Sequence, residues 1–564
     1  MASVRTSIFG RPRRLSRDRR ANDHYTVNCD EPFILTYPTS TTLLLLMEPV
    51  TRLLLGDLFT RGARIYPDRI AIVDGDRTLT FKEVNERANR LCHWMQELGL
   101  IRGDRVAILS TNTLEYIECI GAAAKAGLIV VPVNYRLHGN EISYILQDSG
   151  ARLAVIGPEF VPILSRIQRE LPDLVHIAVF GPDKHDYPSY DDVIAGRSLE
   201  EIEQAGLGED DLIALMYTAA VGGRPRGAMM SHRSFVYQSV QVALAVGARP
   251  QDTYLNLLPL FHTMDLSLAM TFFQLGARNI MIDAFDPYEA AVLINEQGVT
   301  FIGEFAPMAS QILDAAIEHD IDLSSVRKIF GLDSTETVRA YMRRYPELMW
   351  VGGYGQTETH GLVTVDIVAN IDELDRRPAI PGRPASLSLV RIVDEEDNDV
   401  AGGETGEILV RGPSVTSGYW RLPELTSQIT RNGWLHTGDL GRMDLDGYVW
   451  FVDRKPEKDL IKTGGENVYP EEVELVLQEH PSVLEVCVIG VSDPEWSEAV
   501  KAIVVLDDAG KLPTASELGD FCRERLASYK KPKHIAFVSS LPKTADGAMD
   551  RKAIKSAYGN TTTK

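Results

Sequence analysis

The sequence predicts an α/β protein: a large N-terminal domain of α/β layers carrying a β-rich subdomain, then a small, mobile C-terminal α+β domain. Three observations predict it. Helical and strand periodicities alternate from Leu54 to Ile156, the pattern of βαβ units with parallel strands. From Val390 to Val415 the texture changes to short strands between turns. Beyond the charged, Pro456-containing segment Arg454–Asp459, about 100 residues remain, the size of a small domain. A chain of 564 residues is in any case too long for one ordinary domain.

The elements follow in order. Residues 1–46 carry Arg5, Arg11, Arg13, Arg14, Arg17, Arg19 and Arg20 and then the leucines Leu43–Leu46, too short an apolar run for a secretory signal. They read as a disordered or mis-assigned extension, with Met47 as the alternative start of a domain over 47–453. Phe81–Leu98 has apolar residues at helical spacing, closed by Gly99 and Gly103. Arg105–Leu109 reads as a buried strand, Glu115–Ala126 as a helix and Ile129–Val133 as a strand. Leu212–Tyr217 and Asn279–Ile282 are further short strands, and Pro287–Gln297 a helix. Arg391–Val393, Gly406–Val410 and Tyr448–Val452 are the strands of the β-rich subdomain. The hinge is assigned to 454–459 and the lid domain to 460–564, with helices at Pro470–Gln478 and Ala515–Leu526 and strands at Val483–Val491, Ala502–Val505 and Ile535–Val538.

Composition excludes several function classes. With 44% hydrophobic and 24% charged residues the chain is ordinary globular material. A net charge of −21 argues against nucleic acid or an anionic membrane surface as partner. Cys29, Cys92, Cys119, Cys487 and Cys522 have neither metal-ligand nor disulfide-framework spacing, which favours a reducing cytoplasm. No apolar run reaches the length of a membrane span.

The stretch Met216–His232 has the outline of a phosphate-binding loop: an apolar strand, a turn of small residues, then Arg224 and Arg226. Such loops hold phosphates on successive backbone N–H groups. Its centre is Ala219-Ala220-Val221, which supplies no side-chain donor.

Together with Leu258-Pro259-Leu260-Phe261-His262, Tyr354-Gly355-Gln356-Thr357-Glu358-Thr359, Gly406–Gly418 with Tyr419-Trp420, Trp434–Asp439, Asp453-Arg454 and Lys458–Pro470, this loop resembles the adenylate-forming superfamily, in its acyl-CoA synthetase branch. The similarity runs from about Leu54 to about Tyr558, and so many motifs in one order make it specific. The resemblance implies an enzyme that makes an acyl-adenylate from a carboxylic acid and ATP and passes the acyl group to a thiol, its C-terminal domain rotating between the two steps about Lys458. It implies that Tyr354, Gly355, Thr357, Asp439, Arg454 and Gly331 bind the AMP moiety and that Glu358 holds Mg²⁺ when ATP is used. It implies that His262, Gly465 and Glu466 serve the transfer, with Lys462, Gly464 and Asn467 beside coenzyme A. His262, where amino-acid-activating relatives carry aspartate, argues against an amino acid substrate. Arg454 and Asp459 enclose four residues where the family has two, which puts the contact of Arg454 in question.

Two departures fall on one half-reaction. The family's C-terminal Pro-x-x-x-x-Gly-Lys pattern ends here in Gly547-Ala548, with Lys543 and Lys552 off position, and Ala219-Ala220-Val221 replaces the hydroxyls of the loop. Arg226 stands where a lysine is usual. Loss of one preorganised stabiliser typically costs on the order of 10²–10³ in rate. The expectation is therefore a ligase that only makes thioesters, from an acyl-adenylate supplied by a separate adenylating enzyme, as in natural-product biosynthesis of the platensimycin/platencin diterpenoid type. The alternatives are a complete ATP-dependent synthetase and an acyl-adenylate-binding pseudoenzyme. Phe305, Ala306, Met308 and Leu332 are candidates for the lining of a bulky apolar acyl site. Oligomeric state stays open, a homodimer being common among relatives.

Overall fold

A computed structural model describes residues 52–181, 186–202, 206–218, 224–455, 459–493, 496–507, 512–544 and 549–559. The large N-terminal domain holds two mainly parallel sheets and a β-rich subdomain. In one sheet of nine strands, the run from one edge is Gly361–Val368, Met349–Gln356, Lys328–Leu332, Phe301–Phe305, Thr253–Asn256, Arg278–Met281 and Ile70–Asp74, flanked by Arg383–Pro384 and Arg77–Thr80. A six-stranded sheet contains Ala151–Ile156, Arg105–Leu109, Ile129–Pro132 and Leu212–Thr218 side by side and parallel. The interiors of its central strands are apolar because both faces are covered; Val106, Ala107, Ile108 and Val130 are fully buried.

Helix Phe81–Glu97 starts at Thr80, whose hydroxyl accepts the Glu83 N–H while the Glu83 carboxylate accepts the Thr80 N–H. That reciprocal pairing is a capping box. Helix Leu114–Ala126 is buried on every face and ends at Gly127 in the left-handed region. Leu389–Val393, Thr405–Arg411, Trp434–Met443 and Val449–Arg454 form the antiparallel β-rich subdomain. In the small C-terminal domain, Val483–Asp493 and Ser497–Leu506 pair antiparallel and His534–Phe537 joins parallel, with helices Pro470–Gln478 and Ala515–Arg523 against them.

Helix Ala515–Arg523 stops three residues short of the predicted Leu526. The chain leaves the helix so that Ala527 can join a core cluster of the N-terminal domain. Extension 1–46 and hinge residue Lys458 lie outside the described residues. Among the described residues, no helix is long and apolar enough to cross a membrane.

Candidate active site

Ligands in open α/β sheets bind beyond the carboxyl ends of the strands, and three such ends converge here. After Thr253–Asn256 the chain turns through Leu257–Phe261. The buried Asn112 amide fixes this turn by donating to the carbonyls of Asn256 (3.2 Å) and Leu258 (2.8 Å) and accepting from the Leu260 N–H (2.8 Å). His262 then stands at the N-cap of helix Thr263–Leu275. Opposite it, the C-terminal domain presents a hairpin of Ile461–Thr463 and Glu466–Val468. Glu466, 4% exposed, accepts a bond from Arg136 Nη1 at 2.6 Å; His262 Nε2 lies 3.3 Å from the same oxygen and Asn134 Nδ2 lies 3.3 Å from the other. Burial pushes the Glu466 carboxyl up, but His262 and Arg136 outweigh it and hold it at about 2.

The hairpin turns through Gly464 and Gly465, at φ +56° and +82°. These are left-handed conformations that glycine adopts without strain. A Cβ on Gly464 would lie 2.5 Å from the Trp496 ring, and one on Gly465 would reach 3.9 Å from Phe305. Beneath the turn is a cavity of about 700 Å³. Phe285, Phe305, Ala306 and Met308 form an apolar wall, and Arg136, Lys531 and Lys533 bring positive charge to its lining.

A polar cluster stands on the side of the β-rich subdomain. Tyr354, near the end of Met349–Gln356, donates its hydroxyl to Asp439 Oδ2 at 2.7 Å. Burial and the charge of Asp439 keep this phenol protonated. Asp439 and Arg454 are direct partners across neighbouring strands, and Arg454 Nε is 3.9 Å from Asp439 Oδ1. The longer hinge therefore leaves Arg454 beside Asp439. The rings of Tyr354 and Phe451 are near-parallel, 6.5 Å between centroids at 21°. Thr357 and Glu358 lie in the turn that follows, where Glu358 Oε1 accepts the Tyr419 hydroxyl at 2.5 Å. The Arg226 guanidinium lies over the Tyr419 ring, 5.9 Å from its centroid. Gly355 packs against the Gly361 carbonyl, and Gly331 against the buried carboxyl of Glu304.

His262, Gly464, Gly465 and Glu466 are thus brought together, and Tyr354, Asp439 and Arg454 form a second group. Lys462 and Asn467 are not brought to the cavity: they pair with each other across the hairpin on its exposed face. The pleat explains this, since residues alternate between faces and Thr463 and Glu466 take the inner one. Ala219, Ala220, Val221 and Ala548 lie outside the described residues. Lys543 is engaged with Glu485 at 2.7 Å, within the C-terminal domain. Sequence reasoning missed Arg136, Phe451 and Trp496. Arg136 follows the carboxyl end of strand Ile129–Pro132, a position that topology alone marks; Phe451 and Trp496 carry no such signal.

A family profile described as "AMP-binding enzyme" matches residues 59–420, and one described as "AMP-binding enzyme C-terminal domain" matches 472–548. The chain belongs to the AMP-binding enzyme family. It is a member of the adenylate-forming superfamily and of its acyl-CoA ligase group. A feruloyl-CoA synthase from Amycolatopsis is 34% identical over 509 residues, covering 90% of this chain and 99% of the relative. A long-chain-fatty-acid–CoA ligase from Escherichia coli is 32% identical over 536 residues, covering 89% and 94%. Among solved structures, an o-succinylbenzoate CoA synthetase from Bacillus subtilis bound to a product analogue is similar with a TM-score of 0.77 and 29% identity, covering 88% of this chain and 98% of that one. Among the described residues no three His, Cys, Asp or Glu side chains are grouped to hold an ion. Glu358 offers a single carboxylate, which suits Mg²⁺ when substrate phosphates complete its shell.

Proposed function

We propose that this acyl-CoA ligase makes a thioester from a preformed acyl-adenylate and coenzyme A, releases AMP, and has given up making the adenylate. One observation carries the reading. The Gly464-Gly465-Glu466 hairpin is docked against His262 and Arg136 over a cavity with an apolar wall, which supports a thiol-using site in this arrangement. The residues that departed from the family pattern, Ala219-Ala220-Val221 and Ala548, belong to the ATP-using step.

The proposed mechanism is nucleophilic acyl substitution. The AMP moiety lies along Tyr354, Phe451, Asp439 and Arg454, with Asp439 accepting from the ribose hydroxyls and Thr357 donating to phosphate. The thiol enters between Gly465 and Phe305, where absence of Cβ leaves room. Lys531 brings a positive charge to the cavity lining for the phosphates of coenzyme A, whereas Arg136 is paired with Glu466 and Lys533 with Asp493. His262 takes the thiol proton while Glu466 orients the imidazole, an arrangement of base and orienting carboxylate. The sulfur forms its bond to the carbonyl carbon, the bond from that carbon to the phosphate oxygen breaks, and AMP leaves as an anion that needs no protonation. The rate comes mainly from positioning and exclusion of water. Mg²⁺ would supply charge neutralisation to a triphosphate, which this step does not contain. The acyl-adenylate then has to come from a separate adenylating enzyme.

The competing reading, a complete ATP-dependent synthetase, is favoured by the activities for which the relatives are named. ATP–pyrophosphate exchange separates the two. With a panel of carboxylic acids the wild type is expected to show background exchange, and Ala548→Lys combined with a Ser-Gly-Thr-Thr loop at 219–222 to raise it. Wild-type exchange as fast as thioester formation would establish the complete synthetase instead.

A further inference from the structure

The C-terminal domain meets the N-terminal domain at a second place, away from the reacting groups. The turn Ser528–Lys530 carries Lys530, which is 1% exposed. Its ammonium lies 2.6 Å from Glu141 Oε1, in the N-terminal domain, and 2.7 Å from Glu472 Oε2, in its own. Burial would lower the lysine's pKa, but the two carboxylates outweigh it and keep the charge.

Glu141 is tied in by more than this pair. Its Oε2 accepts the His138 N–H at 2.8 Å, closing the cap of helix Gly139–Ser149, and the Ala527 N–H at 2.9 Å. Ala527 is buried in the N-terminal cluster that includes Leu137 and Ile142, and Tyr529 packs against both that cluster and the C-terminal core. The same segment walls the cavity, through Ser528, Tyr529, Lys531 and Lys533. A buried cation must keep a partner. Glu472 travels with Lys530 and remains its partner when the domains separate, so the contact to Glu141 can open without stranding the charge.

We infer that Glu141 and Lys530 are positioning residues for thioester formation: their ion pair latches the tunnel-wall segment to the N-terminal domain and thereby holds Glu466 against His262. The inference rests on the thioester-forming reading. That reading is tested first, by wild-type turnover of an acyl-adenylate with coenzyme A, so its failure and the failure of the latch are distinguishable.

The variants are Glu141→Gln, which keeps acceptors for the His138 and Ala527 N–H groups and so preserves the helix cap, and Glu141→Lys, which opposes Lys530 with a like charge. Three quantities are read: kcat for thioester formation, the Kd of a non-hydrolysable acyl-sulfamoyl-adenosine, and the interdomain distance between spin labels on Ile101→Cys and Leu484→Cys in a Cys29→Ser background. Both labelled positions are exposed, and the other cysteines are buried. Glu141→Gln is expected to lower kcat by about tenfold, with Kd unchanged and a broadened distance distribution; Glu141→Lys is expected to do more. The proposal is overturned if either variant keeps the wild-type kcat, if kcat falls while the distance distribution stays narrow, or if Kd rises in parallel with the loss of rate.

Discussion

His262 and Glu466 are 204 residues apart in sequence and share one contact at 3.3 Å. Each belongs to a motif that sequence could flag. Their pairing could not be read, because docking of one domain on another creates it, and Arg136, the third member, sits in no motif at all. His262→Ala is expected to lower thioester formation by about 10²-fold while acyl-sulfamoyl-adenosine still binds, as steady-state kinetics and calorimetry would measure. Since Glu466 is held at about 2, below an unfolded value of about 4.3, its contribution to stability is in force above the unfolded value and is lost only as pH falls toward the folded one. The carboxylate therefore stays ionised between about pH 5 and 9, and Glu466→Gln should reduce kcat across that whole range by removing the charged partner that orients His262. Glu304 runs the other way. It is fully buried, and neither carboxylate oxygen has a hydrogen-bond partner among the described residues. Burial, and then the charge of Asp333, raise its pKa well above the usual carboxylate range. The cost of burying it is therefore least below the unfolded value, where it is protonated in both states, and grows as pH rises toward the folded one. Glu304→Met is expected to raise Tm by about 2–4 °C, with a larger gain at pH 8 than at pH 5; calorimetry at the two pH values reads the difference.

At the scale of elements, periodicity and caps made most of the scaffold legible. Arg105–Leu109, Pro287–Gln297 and Pro470–Gln478 were bounded to the residue, and Phe81–Glu97 differs by one. Each has a strong local signal, such as Thr80 with Glu83 at the start of its helix. Local signals fail where distant packing decides. Apolar spacing carried the last long helix to Leu526, but the chain breaks off at Arg523 so that Ala527 can enter the other domain's core. The Gly464-Gly465 hairpin shows what a motif does not specify. Its composition predicted close approach, whereas the pleat decided that Glu466 would face the cavity and that Lys462 and Asn467 would not. Gly464→Ala combines a left-handed φ with a contact of 2.5 Å to Trp496. It should lower thioester formation by at least about tenfold and leave acyl-adenylate binding, which is made by the other domain, within about twofold.

At the scale of the molecule, the two sheets and the β-rich subdomain build one side of the site and the small domain closes it. The docked arrangement brings the Gly464-Gly465 hairpin to His262, while Lys543 is paired with Glu485 in its own domain. The departures at Ala219-Ala220-Val221 and Ala548 were legible in sequence because they are side chains missing from recognisable motifs. The site's assembly was not, because it depends on which face of the lid meets the N-terminal domain. A step that contains no triphosphate should also be indifferent to chelation, so EDTA is expected to leave thioester formation from an acyl-adenylate unchanged within about twofold. The most direct measurement compares two mixtures on one preparation: a synthetic acyl-adenylate with coenzyme A, and the corresponding acid with ATP, Mg²⁺ and coenzyme A. Thioester and AMP should form in the first and not in the second. Equal thioester formation in both, or none in the first, would contradict the account.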